Sequence, residues 1–414
     1  MSPADRTTAP AVDLSDPELF ATGDPYSVWR WLRRNDPVHW HRLPDGDGFW
    51  VLTRYDDLAA VYVDPVTFSS GQGTVMGGSF RSEEDSATGQ MLLCSDPPEH
   101  RLLRQQVHQG FANWMLDRMG TAVRSSTRAA VQRLLDAGGE DFATGVAPEL
   151  PAAVLAVMFG LDREGSFHLL DLTRSVIGYR DSDYLAGRSE QMALVAAHAK
   201  VLDFLTGLVE QRRARPGDDL PSLLLSSEIN GRPFSESEIV YNCLNVAVGG
   251  NETTPYTACG GVEALVENPG ECDRLYADPS LLPMAVEEIL RWTSTNAYVG
   301  RNATRDVVIG GTTVRAGDKL TLWNAAANRD EEAFTDPDRF DVGRSPNHHM
   351  AFGVGVHRCI GQAVARQEIT ILFDHLRERA VRLRLDGPVE RLRSNFLLGV
   401  KHMPVSVVSA RTGE

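Results

Sequence analysis

Cysteine is scarce in this chain: five stand among 414 residues, and no two are spaced as Cys-x-x-Cys. An odd, scattered set argues against a disulfide framework or a cysteine-rich zinc site and is typical of a protein in a reducing cytosol. Basic residues are also few, since Lys and Arg total 41 against 56 Asp and Glu, which gives a net charge of −15. That balance argues against a general nucleic-acid binder, because phosphate backbones require a basic surface.

Long hydrophobic runs are missing as well. The longest charge-free stretches lie near residues 150–161 and 239–251, well short of the ~20 apolar residues that cross a bilayer. Residues 1–17 lack the basic start and the apolar core of a signal peptide. We therefore expect a cytoplasmic protein that is neither exported nor inserted in a membrane.

The composition, with 42% hydrophobic and 23% charged residues, is that of a globular chain. No stretch rich in Pro, Ser or Gly separates two cores, so we predict a single domain over residues 1–414. Its β-containing part is expected at about 20–65, its helical part at about 99–292, and a mixed part at about 293–414.

We predict a mainly α fold with small β-sheets, and local patterns indicate where its elements lie. Apolar residues spaced by three and four predict helices throughout the central part, and residues 68–90 predict a long polar loop. A Gly-Gly turn between two β-branched runs predicts a hairpin at 307–314. Further predictions are helices at 25–35 and 360–379, and strands at 38–42, at 48–54 and within 381–408.

The most informative segment is Ala351-Phe352-Gly353-Val354-Gly355-Val356-His357-Arg358-Cys359-Ile360-Gly361, which precedes a helical pattern. On its own, a lone cysteine after a Gly-rich loop could equally be an inert buried thiol. Two glycines, however, allow a tight loop whose N–H groups approach the sulfur, and the following helix points its positive end at it. Both effects favour the thiolate and so indicate a metal with one soft, anionic ligand, for which thiolate-ligated haem is the known solution.

A second segment, Val248-Gly249-Gly250-Asn251-Glu252-Thr253-Thr254-Pro255, interrupts a long helical run. Each glycine in a helix interior costs about 1 kcal/mol relative to alanine, so a flat ligand lying against the helix would explain both. Pro255 has no N–H, so the carbonyl of Asn251 loses its helical partner and we predict a kink there. Alone, a mid-helix threonine usually bonds back to a carbonyl and a mid-helix glutamate usually faces water.

Together these segments resemble the cytochrome P450 monooxygenases. The first matches the family's haem-binding loop, Phe-Gly-x-Gly-x-His-x-Cys-x-Gly, at every fixed position, and the second is similar to its oxygen-binding helix. The resemblance implies haem b with Cys359 as axial iron ligand. The other cofactor-binding residues that it implies in these two segments are Gly249, Gly250, Phe352, Gly353, His357 and Gly361.

The same resemblance assigns roles to individual side chains. Phe352 would pack near the sulfur, and His357 would reach a haem propionate. Thr253 would stabilise bound dioxygen, and Glu252 would help relay the protons that drive O–O cleavage. Gly249 stands where many relatives have alanine, and Pro255 is not a usual part of the family's pattern.

Three further motifs carry the resemblance. The spacing of Glu288 and Arg291 is common in this chain, and only its position upstream of Asp336-Pro337-Asp338-Arg339-Phe340 selects it. The resemblance implies a buried charge network of Glu288, Arg291 and Arg339 that supports the Cys359 loop. His100 and Arg104, four apart on one helix face, and Arg301 are expected to bind the propionates.

The implied reaction inserts one oxygen atom from dioxygen into an organic small molecule, by hydroxylation or epoxidation, with two electrons and two protons. Soluble bacterial members usually receive electrons from a ferredoxin and its NAD(P)H-dependent reductase, and a monomer is expected. Arg101, Arg358 and Arg366 are predicted to form a basic docking patch, for which ordinary exposed arginines are the alternative.

By analogy, eight residues are predicted to line the substrate pocket: Leu92, Asn242, Asn245, Val246, Thr295, Val299, Asn395 and Phe396. Their mixture suggests a medium or large, partly polar molecule from secondary metabolism or from lipid, terpenoid or steroid oxidation. The substrate could be free or tethered to a carrier protein, and both alternatives stay open.

Three rival functions remain. A peroxide-driven haem enzyme of the same fold would not need Glu252 and Thr253. A non-catalytic haem protein would be an electron carrier or a gas sensor. A zinc protein could use His348, His349, His357 and Cys359, although adjacent histidines at strand-like spacing point to opposite faces.

Overall fold

Helices occupy most of the chain between residues 99 and 293, and short strands lie on both sides of them, which confirms the mainly α class with small sheets. The computed structural model describes residues 12–43, 46–76 and 86–411. The described helices are α1 (Glu18–Ala21), α2 (Pro25–Asn35), α3 (Tyr55–Val63), α4 (Glu99–Val107), α5 (Asn113–Ala137), α6 (Phe142–Gly145), α7 (Glu149–Met158), α8 (Arg163–Ile177), α9 (Ser182–Leu185), α10 (Glu190–Ala214), α11 (Leu220–Leu225), α12 (Glu236–Asn251), α13 (Thr253–Glu267), α14 (Pro269–Ala277), α15 (Leu282–Thr293), α16 (Asn324–Ala327) and α17 (Gln362–Glu378).

Five small sheets accompany these helices in the described part of the chain. The largest has the order β1-β2-β10-β7-β3, the second β11-β14-β4, and the others pair β12 with β13, β5 with β6, and β8 with β9. The strands are β1 (Val38–Arg42), β2 (Gly48–Leu52), β3 (Phe68–Ser69), β4 (Gly139–Asp141), β5 (Glu228–Ile229), β6 (Arg232–Pro233), β7 (Val299–Ala303), β8 (Val307–Ile309), β9 (Thr312–Val314), β10 (Lys319–Leu322), β11 (Arg382–Leu385), β12 (Glu390–Arg391), β13 (Val400–His402) and β14 (Pro404–Ser409).

Local sequence signals account for many of these elements. The predicted helix at 25–35 is α2, the predicted hairpin at 307–314 is β8 and β9, and the terminal strands are β11 to β14. The central part also contains three short strands that the helical periodicity did not predict, at 139–141, 228–229 and 232–233. The predicted loop at 68–90 falls partly outside the described residues.

The predicted kink in the long central helix is present as a complete break. Helix α12 starts with a capping box, in which Ser235 and Glu238 bond each other's backbone N–H groups, and it ends at Asn251. Helix α13 begins at Thr253, so Glu252 alone separates the two helices. Pro255 explains the position of the break, because it cannot donate a hydrogen bond to the carbonyl of Asn251.

The largest apolar core lies where α5, α7, α13, α15 and α17 meet. A second core packs α8, α10 and α12 together. The break between α12 and α13 therefore falls between two cores, and α17, which follows Cys359, shares the larger core with α13.

One described helix, α10, is long and apolar enough to cross a membrane by length and composition, and the bent stretch through α6, α7 and α8 would count as a second. In the fold, α10 packs against α8, α11 and α12, and Ala197, Val201 and Leu205 are buried there. Core helices pass the same test, so the absence of a membrane segment stays a prediction.

Charged side chains tie the connection between α8 and α10 to the hairpin of β12 and β13. Lys401 donates to Asp181 at 3.1 Å and to Asp183 at 2.8 Å. Arg393 donates to Glu190 at 3.0 Å and to Glu18, in α1, at 3.2 Å. We call this set of ion pairs the clamp.

Candidate active site

The loop before α17 places Cys359 at the start of that helix. Its N–H donates to the carbonyl of Phe352 at 2.9 Å, which closes the loop. Gly355 has φ +74°, and a Cβ there would lie 2.4 Å from the carbonyl oxygen of Tyr62, so only glycine fits. The sulfur thus lies close to the positive end of a 17-residue helix.

Cys359 differs from the other four cysteines, which are all buried, because it is partly exposed. Burial around the sulfur raises the pKa of the Cys359 thiol, while the Gly361 N–H and the charges of Arg104, Arg366 and Arg358 act against that rise. The loop N–H thus favours the thiolate, as expected, but burial outweighs it. A cation bound to the sulfur would reverse this balance.

Charged side chains on both sides of Cys359 in the sequence are joined through Glu287. Glu287 accepts from Arg366 at 2.6 and 2.9 Å and from His349 at 3.0 Å, and these contacts lower the pKa of Glu287 to about 2 against the effect of burial. The Arg366 guanidinium also lies 4.6 Å from the ring centroid of Phe352. Because Arg366 is paired in this way, it adds little free charge to the predicted docking patch.

The rival zinc site, with His348, His349, His357 and Cys359 as ligands, has no geometric support among the described residues. His349 is engaged with Glu287, and among the described residues no group of three His, Cys, Asp or Glu side chains could hold a metal ion.

Four of the predicted cofactor residues form one cluster of cationic and imidazole groups, in which His100 and Arg301 are buried and Arg104 and His357 are half-buried. The rings of His100 and His357 lie 4.1 Å apart, and the Nε2 atom of each is buried with no hydrogen-bond partner among the described residues. Arg301 is buried, and its one hydrogen bond to a described residue goes to the carbonyl of Gly300, at 2.7 Å. Arg104 reaches the carbonyl of Arg358 at 2.7 Å, which connects the cluster to the cysteine loop.

No described carboxylate forms an ion pair with this cluster. Burial, together with the charges of Arg104 and Arg301, lowers the pKa of His100 to about 4 and that of His357 to about 2. Burying an arginine without a carboxylate is costly unless a ligand supplies the negative charge. The cluster therefore fits an anionic group.

The end of α12 offers space for a flat group. Gly249 and Gly250 are exposed although their helix packs against its neighbours, and a Cβ at either position would meet no atom within 4 Å. Thr253 donates to the carbonyl of Gly249 at 3.1 Å, which brings its hydroxyl beside this open face. A mid-helix threonine commonly makes such a bond.

The carboxyl of Glu252 is fully buried at the break and pairs with Arg174 of α8, whose Nε lies 3.2 Å from Oε1. Burial raises the pKa of Glu252 to about 7, although the guanidinium acts to lower it. A carboxyl with this pKa exists in both protonation states at neutral pH, which a proton relay requires.

Glu288 and Arg291 form a fully buried bidentate pair, with distances of 2.7 and 2.8 Å. The assignment of Arg339 to this network is wrong, because 61% of its side chain is exposed and its nearest carboxylate, Glu271, lies 4.0 Å away. Its place is taken by Arg344, whose Nε lies 3.0 and 3.1 Å from the two oxygens of Glu288. Arg339 contributes only its backbone carbonyl, which accepts from both arginines.

Three of the polar residues predicted for the substrate pocket are engaged inside the fold. The amide of Asn242 accepts from the N–H of Leu92 at 2.9 Å and donates to the carbonyls of Gln90 and Glu238. Thr295 bonds the hydroxyl of Thr257 at 2.9 Å. Asn395 donates to the carbonyl of Leu14 at 3.2 Å. The partly buried residues of the set are Asn245, Val246, Val299 and Phe396.

Sequence reasoning missed several participants. Arg344, Asn347 and Arg174 reach their carboxylates across long sequence separations, which no local pattern encodes. Glu368 was detectable, because it stands between Val364 and Leu372 on the apolar face of α17. Its carboxyl is buried and accepts from Thr254 at 3.1 Å.

A thiol just before a helix, a cationic cluster with no ion-paired carboxylate among the described residues and an open helix face fit a flat, anionic cofactor with a sulfur ligand. Comparisons with known proteins agree with that class. The family model for cytochrome P450 matches residues 175–379. Linalool 8-monooxygenase of Pseudomonas putida is 33% identical over 403 residues, which cover 96% of this chain and 98% of that protein.

Two further matches extend over similar lengths. The steroid C26-monooxygenase of Mycobacterium tuberculosis is 34% identical over 402 residues, covering 96% of this chain and 98% of that one. The crystal structure of P450 OxyD, involved in the biosynthesis of vancomycin-type antibiotics, is 34% identical with a TM-score of 0.86, covering 97% of this chain and 100% of that one.

The chain belongs to the cytochrome P450 family. It is a haem-thiolate monooxygenase of bacterial metabolism, which uses dioxygen to insert one oxygen atom into a small organic substrate and takes electrons from redox partners. The relatives' names favour this activity over a non-catalytic haem protein or a peroxide-driven enzyme.

Proposed function

We propose that Cys359 binds the haem iron through its sulfur and that His100, Arg104, Arg301 and His357 hold the haem propionates. The observation that carries this proposal is the cationic cluster, which forms no ion pair with any described carboxylate and is joined to the cysteine loop through Arg104. Two propionates would supply the missing negative charge and would accept from both Nε2 atoms.

Haem supplies the activation of dioxygen and the oxygen transfer itself. Gly249 and Gly250, which present no side chain, would leave room for its flat face. Thr253 would offer its hydroxyl there as a hydrogen-bond donor, and Glu252 would deliver protons when its pairing with Arg174 opens. The raised pKa of Glu252 supports this role, because a weak acid close to neutrality can both release and regain a proton.

Replacement of the proposed ligand tests the assignment. Cys359→Ser should abolish the strongly red-shifted Soret band that a thiolate-ligated ferrous haem shows with carbon monoxide. Cys272→Ser is the matched control. The buried sulfur of Cys272 accepts a hydrogen bond from Arg382 Nη1 at 2.6 Å, so its replacement should not change the spectrum. A thiolate-type spectrum in Cys359→Ser would refute the assignment.

We further propose that a ferredoxin, reduced by an NAD(P)H-dependent reductase, is the electron donor. Arg101 and Arg358 are both exposed beside the cysteine loop and would attract its acidic surface. Charge reversal of both should raise the KM for ferredoxin at low salt and leave little difference at high salt. Lys200→Glu, an exposed charge reversal on α10, should change neither value.

The substrate is proposed to be a medium or large, partly polar molecule, free or bound to a carrier protein. Optical titration with free terpenoids, steroids, fatty acids, macrolides and aromatic amino acids separates the two, because only a free substrate would shift the spin state at accessible concentrations. Cytoplasmic location, a monomeric state and a single domain stay predictions.

A further inference from the structure

The polar side chains of the predicted pocket are not equivalent. Asn242, Thr295 and Asn395 all use their polar atoms in hydrogen bonds within the fold. Asn245 is half-buried on α12, and its side chain makes no hydrogen bond to any described residue. Water can reach this amide in the free protein, so a ligand that covers it without a hydrogen bond loses affinity relative to one that pairs with it.

The helix geometry fixes where this amide lies. Asn245 precedes Gly249 by four residues, so both stand on one face of α12. Four residues rise about 6 Å along a helix, which places the amide one turn from the open face at Gly249. Its neighbour Val246 is half-buried and packs against the second core, so Asn245 carries the polar group at this point of the helix.

We propose that Asn245 determines substrate specificity by hydrogen bonding a hydroxyl or carbonyl group of an otherwise apolar substrate, about one helical turn from the oxidised carbon. This inference rests on the proposed function, because it takes the face at Gly249 as the reaction side. A site of this kind strongly rejects an analogue that lacks the oxygen, because that analogue leaves the Asn245 amide unpaired. The substrate class is thus an oxygenated terpenoid, steroid or lipid and not a plain hydrocarbon.

A pair of anchored probes tests the inference without the natural substrate. The imidazole nitrogen of 4-phenylimidazole binds ferric haem iron directly, and its phenyl ring extends into the pocket. The ortho-, meta- and para-hydroxyphenyl derivatives each add one hydroxyl, at a different distance from the imidazole nitrogen. Dissociation constants come from the Soret shift, in protein already shown to carry a thiolate-ligated haem, so that failure of the haem assignment is detected separately.

We expect at least one hydroxylated probe to bind the wild-type protein about tenfold more tightly than the parent compound. In Asn245→Leu that ratio should fall to about one, with the parent bound at least as tightly as by the wild type. Thr295→Val, which removes a hydroxyl already engaged with Thr257, should keep the ratio. The inference is overturned if no isomer gains affinity in the wild type, or if the gain survives in Asn245→Leu.

Discussion

Replacing Glu288 by glutamine should destabilise the fold far more than the same change at its neighbour Glu287. Glu288 is fully buried, and its two oxygens accept from Arg291, Arg344, Asn347 and the backbone N–H of Asp341. Glutamine keeps the shape but leaves two buried guanidinium groups without a counter-charge, and its NH₂ group faces other donors. Removal of one partner of a buried ion pair costs about 3 to 5 kcal/mol.

Glu287 provides the matched control because it also contacts an arginine and a histidine. Its side chain is 29% exposed and Arg366 is 30% exposed, so water screens the pair. After that discount, Glu287→Gln should cost about 1 kcal/mol. The two substitutions are adjacent in sequence and identical in chemistry, and they differ in burial.

Urea unfolding at pH 7, followed by far-UV circular dichroism, measures the difference as a shift of the midpoint at constant slope. Arg339→Gln should leave the free energy of unfolding within about 0.5 kcal/mol of that of the wild type, because the Arg339 side chain is exposed. An equal or smaller loss for Glu288→Gln than for Glu287→Gln would refute the reasoning. Failure of Glu288→Gln alone to accumulate as folded protein would support it.

Two other variants address the oxygen side of the site. Thr253→Ala should raise the fraction of reducing equivalents released as peroxide, whereas Thr254→Ala, whose native hydroxyl is turned toward Glu368, should leave coupling unchanged; equal coupling in both would remove Thr253 from the proton path. Burial raises the pKa of Glu368 to about 8 from an ordinary 4.5, so the folded state retains a proton that the unfolded state releases. Wild-type stability should therefore fall as the pH rises from about 4.5 to about 8, by about 4 to 5 kcal/mol from this group. Urea midpoints at pH 5 and pH 8 should show this loss in the exposed control Glu378→Gln but not in Glu368→Gln.

The parts of the site that lie on one continuous segment were predictable from sequence. The loop before Cys359 and the break at Pro255 depend on glycine, proline and a following helix, which are local properties. His100 and Arg301, which meet in the cationic cluster, were reached only through resemblance, because nothing in the chain between them encodes their approach.

The wrong assignment of Arg339 arose because the sequence offers two arginines of equal chemistry near the same position. Arg339 and Arg344 are five residues apart, and only the backbone path of the intervening turn decides which guanidinium turns inward. Asn242 and Asn245 are three apart on α12, yet the first holds the segment at Gln90 and Leu92 and the second bonds nothing in the described chain. Composition cannot separate such pairs, because the choice is made by tertiary contacts.

The clamp has a consequence for engineering of the chain ends. Through Arg393, the hairpin of β12 and β13 bonds Glu18 of α1, and Arg180 of the α8 to α10 connection donates to the carbonyl of Ser15. The hairpin and the connection between α8 and α10 are thus both bonded to the segment around residues 15–18. Removal of residues 1–18 would delete the Glu18 carboxylate and the Ser15 carbonyl, and so free Arg393 and Arg180 from these bonds, while the bonds from Lys401 to Asp181 and Asp183 would remain.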